Sequence, residues 1–177
     1  MTYAQNNEEK IIEDIFKEIG TTNKFAVEFG CHPNHQFSNG KALEEKGWTV
    51  HFYGVEGGED IKQEFFTAEN INEIFDKYEV PQSPDLMSID VDGMDYYLWK
   101  ALKRKPRVVI IEYNIRRPKG IQPYFSLNVW NRLNDNYFGA CKEEMIKLGK
   151  EKGYELVGEN EANLFFKLYE KSTGNGN

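Results

Sequence analysis

The sequence has few cysteines, few histidines and no long apolar run. Of its 177 residues, two are cysteine and three are histidine. Cys31 and Cys141 are too few for a disulfide framework, and their spacing matches no metal-binding motif, so we expect reduced thiols and a cytoplasmic protein. No stretch approaches the roughly 20 apolar residues of a membrane-spanning helix, and residues 1–10 lack the apolar core of a signal peptide. We therefore expect no membrane partner.

Basic residues are outnumbered by acidic ones. The chain carries 22 Lys and Arg against 29 Asp and Glu, which gives a formal net charge of -7. Nonspecific nucleic-acid binding depends on Lys and Arg neutralising phosphates, so we expect a small-molecule substrate and no nucleic-acid partner. The length and composition predict a single globular domain over residues 1–171, followed by a disordered polar tail at 172–177.

Four short apolar runs dominate the pattern, and each ends in polar residues beside a glycine or an amide. The runs occupy residues 25–30, 51–57, 86–95 and 107–114. Runs of this length and composition predict buried strands. In open α/β sheets ligands bind outside the carboxyl ends of the strands, so we expect one shared site at these four ends.

The remaining segments complete an α/β pattern. Amphipathic spacing predicts helices at residues 7–19, 37–46 and 139–152, and another helix after Thr67. Residues 154–158 and 163–169 predict a closing antiparallel strand pair. The predicted fold is therefore α/β, with a mostly parallel sheet, an antiparallel C-terminal strand pair and helices on both faces.

Several short motifs occur in an ordered series that spans nearly the whole chain. They are Glu-Phe-Gly at 28–30, Val-Glu-Gly at 55–57, Ile-Asp-Val-Asp-Gly at 89–93 and Ile-Glu-Tyr-Asn at 111–114. Together with the terminal strand pair, they resemble a class I S-adenosylmethionine-dependent methyltransferase, and more closely the small FkbM-like proteins. The resemblance implies a Rossmann-like sheet, S-adenosylmethionine as cofactor and methyl transfer to an oxygen of a small polar acceptor, such as a sugar or a nucleotide-linked metabolite.

The same resemblance implies roles for particular residues at the strand ends. Gly30 would let the backbone approach the methionine part of the cofactor. Glu56, followed by Gly57, would accept hydrogen bonds from both ribose hydroxyls. Glu28 would either bind the cofactor ammonium or hold the adjacent loop through a backbone amide. Asp90 would lie near the methyl donor and the acceptor.

The catalytic candidates are Asp90, Asp92 and His35. A histidine has an ordinary pKa near neutrality, so His35 in the loop after the first strand is a candidate base for the acceptor hydroxyl. The alternative is a surface histidine with no catalytic role. Asp90 and Asp92 follow the central strand and would face the same reacting atoms.

Acidic residues at two neighbouring strand ends also form a candidate metal site. Asp90, Asp92 and Asp95 are a candidate metal or catalytic cluster. With Glu112 and Asn114 on the next strand, Asp90 offers the oxygen ligands that Mg²⁺ takes, and such an ion would lower the pKa of an acceptor hydroxyl. The alternative is that Asp92 or Asp95 simply caps the following helix. A weaker hypothesis uses the Asp90 cluster for metal-dependent hydrolysis.

The chain is short where the resembling family has its third strand. Only residues 57–66 separate Glu56 from the helix after Thr67, so we expect the third edge strand to be missing and the cofactor pocket to be reduced. An exposed sheet edge invites pairing, which predicts a homodimer through that edge. The main alternative function is therefore an inactive, methyltransferase-like binding or assembly protein.

Overall fold

Seven strands form one sheet in the computed structural model, which describes residues 3–122 and 139–169. In chain order they are β1 (Phe25–Phe29), β2 (Thr49–Gly54), β3 (Ile61–Gln63), β4 (Leu86–Ile89), β5 (Val108–Glu112), β6 (Tyr154–Glu159) and β7 (Asn163–Leu168). Their order across the sheet is β3-β2-β1-β4-β5-β7-β6. Strands β1 to β5 are parallel, and β7 runs antiparallel to both β5 and β6. The predicted α/β sheet with an antiparallel C-terminal pair is confirmed.

Helices cover both faces of this sheet, as predicted. They are α1 (Glu8–Ile19), α2 (Lys41–Glu45), α3 (Ile71–Lys77), α4 (Asp95–Ala101) and α5 (Lys142–Lys152). Buried side chains of α1 and α2 pack with one set of strand residues, and those of α3, α4 and α5 pack with the alternate set. Successive side chains of a strand point to opposite faces, so the two clusters lie on opposite sides of the sheet.

The central strands are buried on both faces. All four residues of β4 are buried, and Val108 through Ile111 in β5 have no exposed surface. A parallel strand with helices on each side has no polar face, which explains why these runs are continuously apolar rather than alternating. Branched side chains such as those of residues 108–111 also favour the extended conformation.

The expectation that the third edge strand is missing is wrong. Strand β3 pairs in parallel with β2, with Ile61 beside Phe52 and Gln63 beside Gly54. Parallel neighbours usually need a crossover of about a dozen residues or more, but here residues 55–60 suffice without a helix. The connection is short because β3 has only three residues and Ile61 is anchored by burial at 4% exposure.

Some predictions concern residues that lie outside the described ranges. The sequence of residues 115–135 is irregular and rich in aromatic residues, which predicts an ordered lid or substrate wall. This segment is described only as far as residue 122, where Ile121 forms an isolated antiparallel bridge with Ala140. The tail predicted at 172–177 lies wholly outside. Within the described ranges, none of the helices combines the length and apolar character needed to cross a membrane.

Candidate functional site

A pocket of about 410 Å³ opens at the carboxyl ends of β1, β2 and β4. From β1 the sheet continues outward through β2 and β3, whereas from β4 it continues through β5 in the other direction. The boundary between β1 and β4 is thus a topological switch point, where open α/β sheets form their ligand crevice. The volume lies within the range of about 300–1,000 Å³ typical of small-molecule sites.

The pocket brings together most of the residues predicted from the strand ends. Those that line it are Glu28, Gly30, Glu56, Asp90, Asp92 and Glu112. Those that are not part of its lining are His35, Gly57 and Asn114. Among the described residues no lysine or arginine lines the pocket, and His32 is the only lining side chain that can become a cation. This acidic lining favours ligands that carry positive charge and disfavours those that present a phosphate to it.

Glu28 holds the loop that leads into α2. Its Oε2 accepts hydrogen bonds from the Ser38 hydroxyl at 2.8 Å and from the Gly40 amide at 2.6 Å. Burial raises the pKa of this carboxyl to about 7, against the effect of these hydrogen bonds, and the nearby charge of Asp90 adds to the increase. Of the two roles predicted for Glu28, loop positioning is the one that its described contacts fill.

Gly30 is required by the approach of β1 to the end of β4. Its φ is +89°, and a Cβ at this position would lie 1.5 Å from the backbone oxygen of Asp90. No side chain fits at such a distance, so the packing of the sheet alone excludes every residue with a Cβ. The predicted approach to a ligand is compatible with this position, since Gly30 also lines the pocket.

Glu56 lies just beyond the end of β2, exposed in the pocket wall. Gly57 follows it with a φ of +69° and makes the turn toward β3. A Cβ on Gly57 would meet the Cβ of Gln63 at 3.0 Å. Gly57 therefore shapes the connection that carries Glu56, whereas Glu56 itself faces the space where a ligand would lie.

The side chain of His35 contacts other residues of the protein on both of its ring nitrogens. Its Nε2 lies 2.8 Å and 3.0 Å from the two carboxylate oxygens of Asp60, and its Nδ1 lies 3.4 Å from the Cys31 sulfur. Lys41 donates to the same Asp60 carboxylate at 2.9 Å. Although burial opposes it, hydrogen bonds from Lys41 and His35 lower the pKa of Asp60 to about 2. His35 thus links three segments, and His32 is the loop histidine that lines the pocket.

Of the predicted metal ligands, the acidic cluster contains Asp90, Asp95 and Glu112 but not Asn114. Carboxylate oxygens of Asp90, Asp95 and Glu112 lie within 4.8 Å of one another. The Asn114 side-chain oxygen instead accepts a hydrogen bond from the Arg116 amide at 2.9 Å. Burial, together with the charge of Asp90, raises the pKa of Asp95 to about 7.

This donor set is of the kind that a hard divalent cation takes. A bound cation would be held by Asp90, Asp95 and Glu112. However, the two oxygens of Asp95 already accept hydrogen bonds from the amides of Val91 and Gly93, at 2.8 Å and 2.9 Å. These bonds hold the turn before α4 and account for the burial of Asp95 without an ion.

Residues to which the sequence analysis assigned no role also line the pocket. Asn39 is buried at 7% exposure and donates from Nδ2 to the Ser88 hydroxyl at 3.0 Å. Phe65 and Phe66 form an apolar wall near the end of β3. A role for Asn39 depends on loop geometry that no spacing rule supplies.

Comparison with family models and with curated protein sequences finds no match for this chain. Its function must therefore be inferred from the arrangement of the strands and from the residues of the pocket. The strand ends, the acidic lining and the apolar wall are the features that any assignment has to explain.

Proposed function

We propose that this chain is a class I S-adenosylmethionine-dependent methyltransferase with a Rossmann-like sheet. The observation that carries the proposal is the pocket at the switch between β1 and β4, with an acidic residue, Glu56, just beyond the end of β2. An acid in that place accepts hydrogen bonds from ribose hydroxyls in nucleotide-binding α/β proteins. The resemblance in sequence to class I methyltransferases implies that the bound nucleoside is S-adenosylmethionine.

Different residues of the pocket would contact different parts of the cofactor. Glu56 would hold the ribose, and Phe65 and Phe66 would form an apolar wall for the adenine ring. Gly30 would lie along the methionine part. The sulfonium methyl would then point toward Asp90, at the end of β4, where the acceptor would bind.

Catalysis would depend mainly on alignment of the methyl group with the acceptor oxygen. Asp90 or Asp92 would accept the proton that the hydroxyl loses. His32 is the alternative base, because it lines the pocket whereas His35 does not. The acidic lining favours an uncharged, hydroxyl-rich acceptor such as a sugar over one that presents a phosphate to these residues.

The first test is calorimetric titration with S-adenosylhomocysteine, with and without Mg²⁺. We expect micromolar binding and a loss of about 10- to 100-fold in Glu56→Ala. Glu56 is exposed, so each of the two lost hydrogen bonds is worth about 1 kcal/mol. Glu59→Ala is the matched control, since Glu59 is an exposed acid of the same connection and does not line the pocket. Absence of binding at millimolar ligand would refute the proposal.

One observation favours a second function, a binding or assembly protein of the same fold without catalysis. The connection from β2 to β3 contains no helix and β3 has three residues, so few residues are in place to contact the adenine of a bound cofactor. Such a protein would show no methyl transfer from labelled S-adenosylmethionine to any acceptor. The hydrolase hypothesis would require phosphate-ester cleavage that is lost with a chelator and in Asp90→Asn.

A further inference from the structure

Asn39 has a buried acceptor without a partner. The residue is 7% exposed, and its Oδ1 receives no hydrogen bond from any residue in the described ranges. Leaving a buried acceptor unsatisfied destabilises the fold, and such groups are rare in folded proteins. Asn39 also lines the pocket, so this unpartnered acceptor belongs to a residue of the pocket wall.

The contacts of Asn39 define which of its side-chain atoms lacks a partner. Its Nδ2 donates to the hydroxyl of Ser88, itself 2% exposed on β4. That bond fixes the amide and leaves Oδ1 as the atom with unused capacity. The ligand atom that completes this site is therefore a hydrogen-bond donor.

The neighbours of Asn39 favour a positively charged donor. Glu28 lines the same pocket, and its carboxylate accepts a hydrogen bond from the amide of Gly40, the residue that follows Asn39, at 2.6 Å. Asp90 lies close enough for its charge to act on Glu28. A cation placed between an amide oxygen and carboxylates gains from both, whereas a neutral hydroxyl gains mainly from the hydrogen bond.

We propose that Asn39 Oδ1 accepts a hydrogen bond from an ammonium group of the ligand that occupies the pocket. The inference rests on the proposed function, in which that group is the α-ammonium of S-adenosylmethionine. Asn39 is then a binding residue: it holds the ammonium end of the cofactor while Glu56 holds the ribose, and the two contacts together orient the cofactor in the pocket. Removal of either the ammonium or the amide oxygen should cost the same interaction.

The test compares S-adenosylhomocysteine with its analogue that lacks the α-amino group, by calorimetry. The wild-type protein should bind the amine-bearing compound about 10- to 100-fold more tightly, because a hydrogen bond to a charged group is gained. In Asn39→Ala this preference should fall below about 3-fold, mainly because the amine-bearing compound binds more weakly. Gln36→Ala, at an exposed position of the same loop, should keep the wild-type preference.

A second variant makes the test independent of damage to folding. Asn39→Asp keeps an acceptor oxygen of the same size and should retain or increase the preference for the amine. Loss of the preference in Asn39→Asp, or its survival in Asn39→Ala, would overturn the inference. Equal binding of both compounds by the wild type would overturn it as well and leave the proposed function standing, whereas binding of neither would overturn both.

Discussion

Glu28→Gln should change how the stability of the protein depends on pH. Glu28 is 6% exposed, and its pKa is raised from 4.5 to about 7, chiefly by burial. Glutamine keeps the shape and the acceptor oxygen that Ser38 and Gly40 contact, but it cannot ionise. The substitution therefore isolates the cost of the buried charge from the packing of the loop.

The sign follows from proton binding in the two states. Between pH 4.5 and about 7 the folded protein holds the Glu28 proton more tightly than the unfolded chain, so stability falls as the pH rises. Each pH unit in this window costs about 1.4 kcal/mol, or about 3 kcal/mol across it. Glutamine has no such dependence. The variant should thus gain about 3 kcal/mol relative to the wild type between pH 4.5 and pH 8.

The assay is thermal unfolding of both proteins at several pH values. For a chain of this size about 3 kcal/mol corresponds to a relative change in Tm of about 6–12 °C. Asp95 and His51 also have displaced pKa values, raised to about 7 and lowered to about 4, but they contribute equally to both proteins and cancel in the difference. Exposed Glu59→Gln is the control. A Tm difference that stays constant with pH would refute the reasoning.

Three further results should follow from the packing of the loops. Gly30→Ala should prevent folding or lower the free energy of unfolding by several kcal/mol. Gly47→Ala is the control, because Gly47 also has a positive φ but a Cβ there would meet nothing within 4 Å, and it should lose only about 1 kcal/mol in urea unfolding. Equal losses in the two variants would contradict the close approach of Gly30 to Asp90. His35→Ala should lower the free energy of unfolding by about 1–2 kcal/mol yet change the affinity for S-adenosylhomocysteine less than twofold. A large loss of affinity would show that His35 belongs to the binding site. Because burial raises the pKa of the Cys31 thiol, iodoacetamide should alkylate it slowly, and S-adenosylhomocysteine should suppress the reaction, as followed by mass spectrometry. Cys141, which does not line the pocket, should show no such protection.

The strands that carry strong local signals were predictable. Residues 108–111 are four consecutive branched apolar residues, which favour a buried parallel strand in any context. The closing pair was equally clear from two short apolar runs around a turn. Strand β3 was missed because Ile61, Lys62 and Gln63 are too few to show a period, and their pairing depends on Phe52 across the sheet.

The site was predictable where it depends on strand ends and not where it depends on loop conformation. Parallel strands bring their carboxyl ends together, which is why Glu56 and Asp90 both reach the pocket. The loop after β1 instead contains His35 and Phe37 at φ values of 55° and 65°. Such left-handed residues are uncommon outside glycine, so no pattern indicates that His35 turns away from the pocket while Asn39 turns toward it.

The close contact between Gly30 and Asp90 distinguishes residues that the fold requires from residues that only ligand binding would require. A descendant of this chain that lost its ligand would still be unable to tolerate a methyl group at that glycine, because the sheet could not close. Glu56 is exposed and has no such restraint, whereas Asn39 would still be held in part by its hydrogen bond to Ser88. A library of variants selected only for folding should therefore keep Gly30, vary less at Asn39 and vary freely at Glu56. The residues that a second selection for ligand binding restores would mark the binding site.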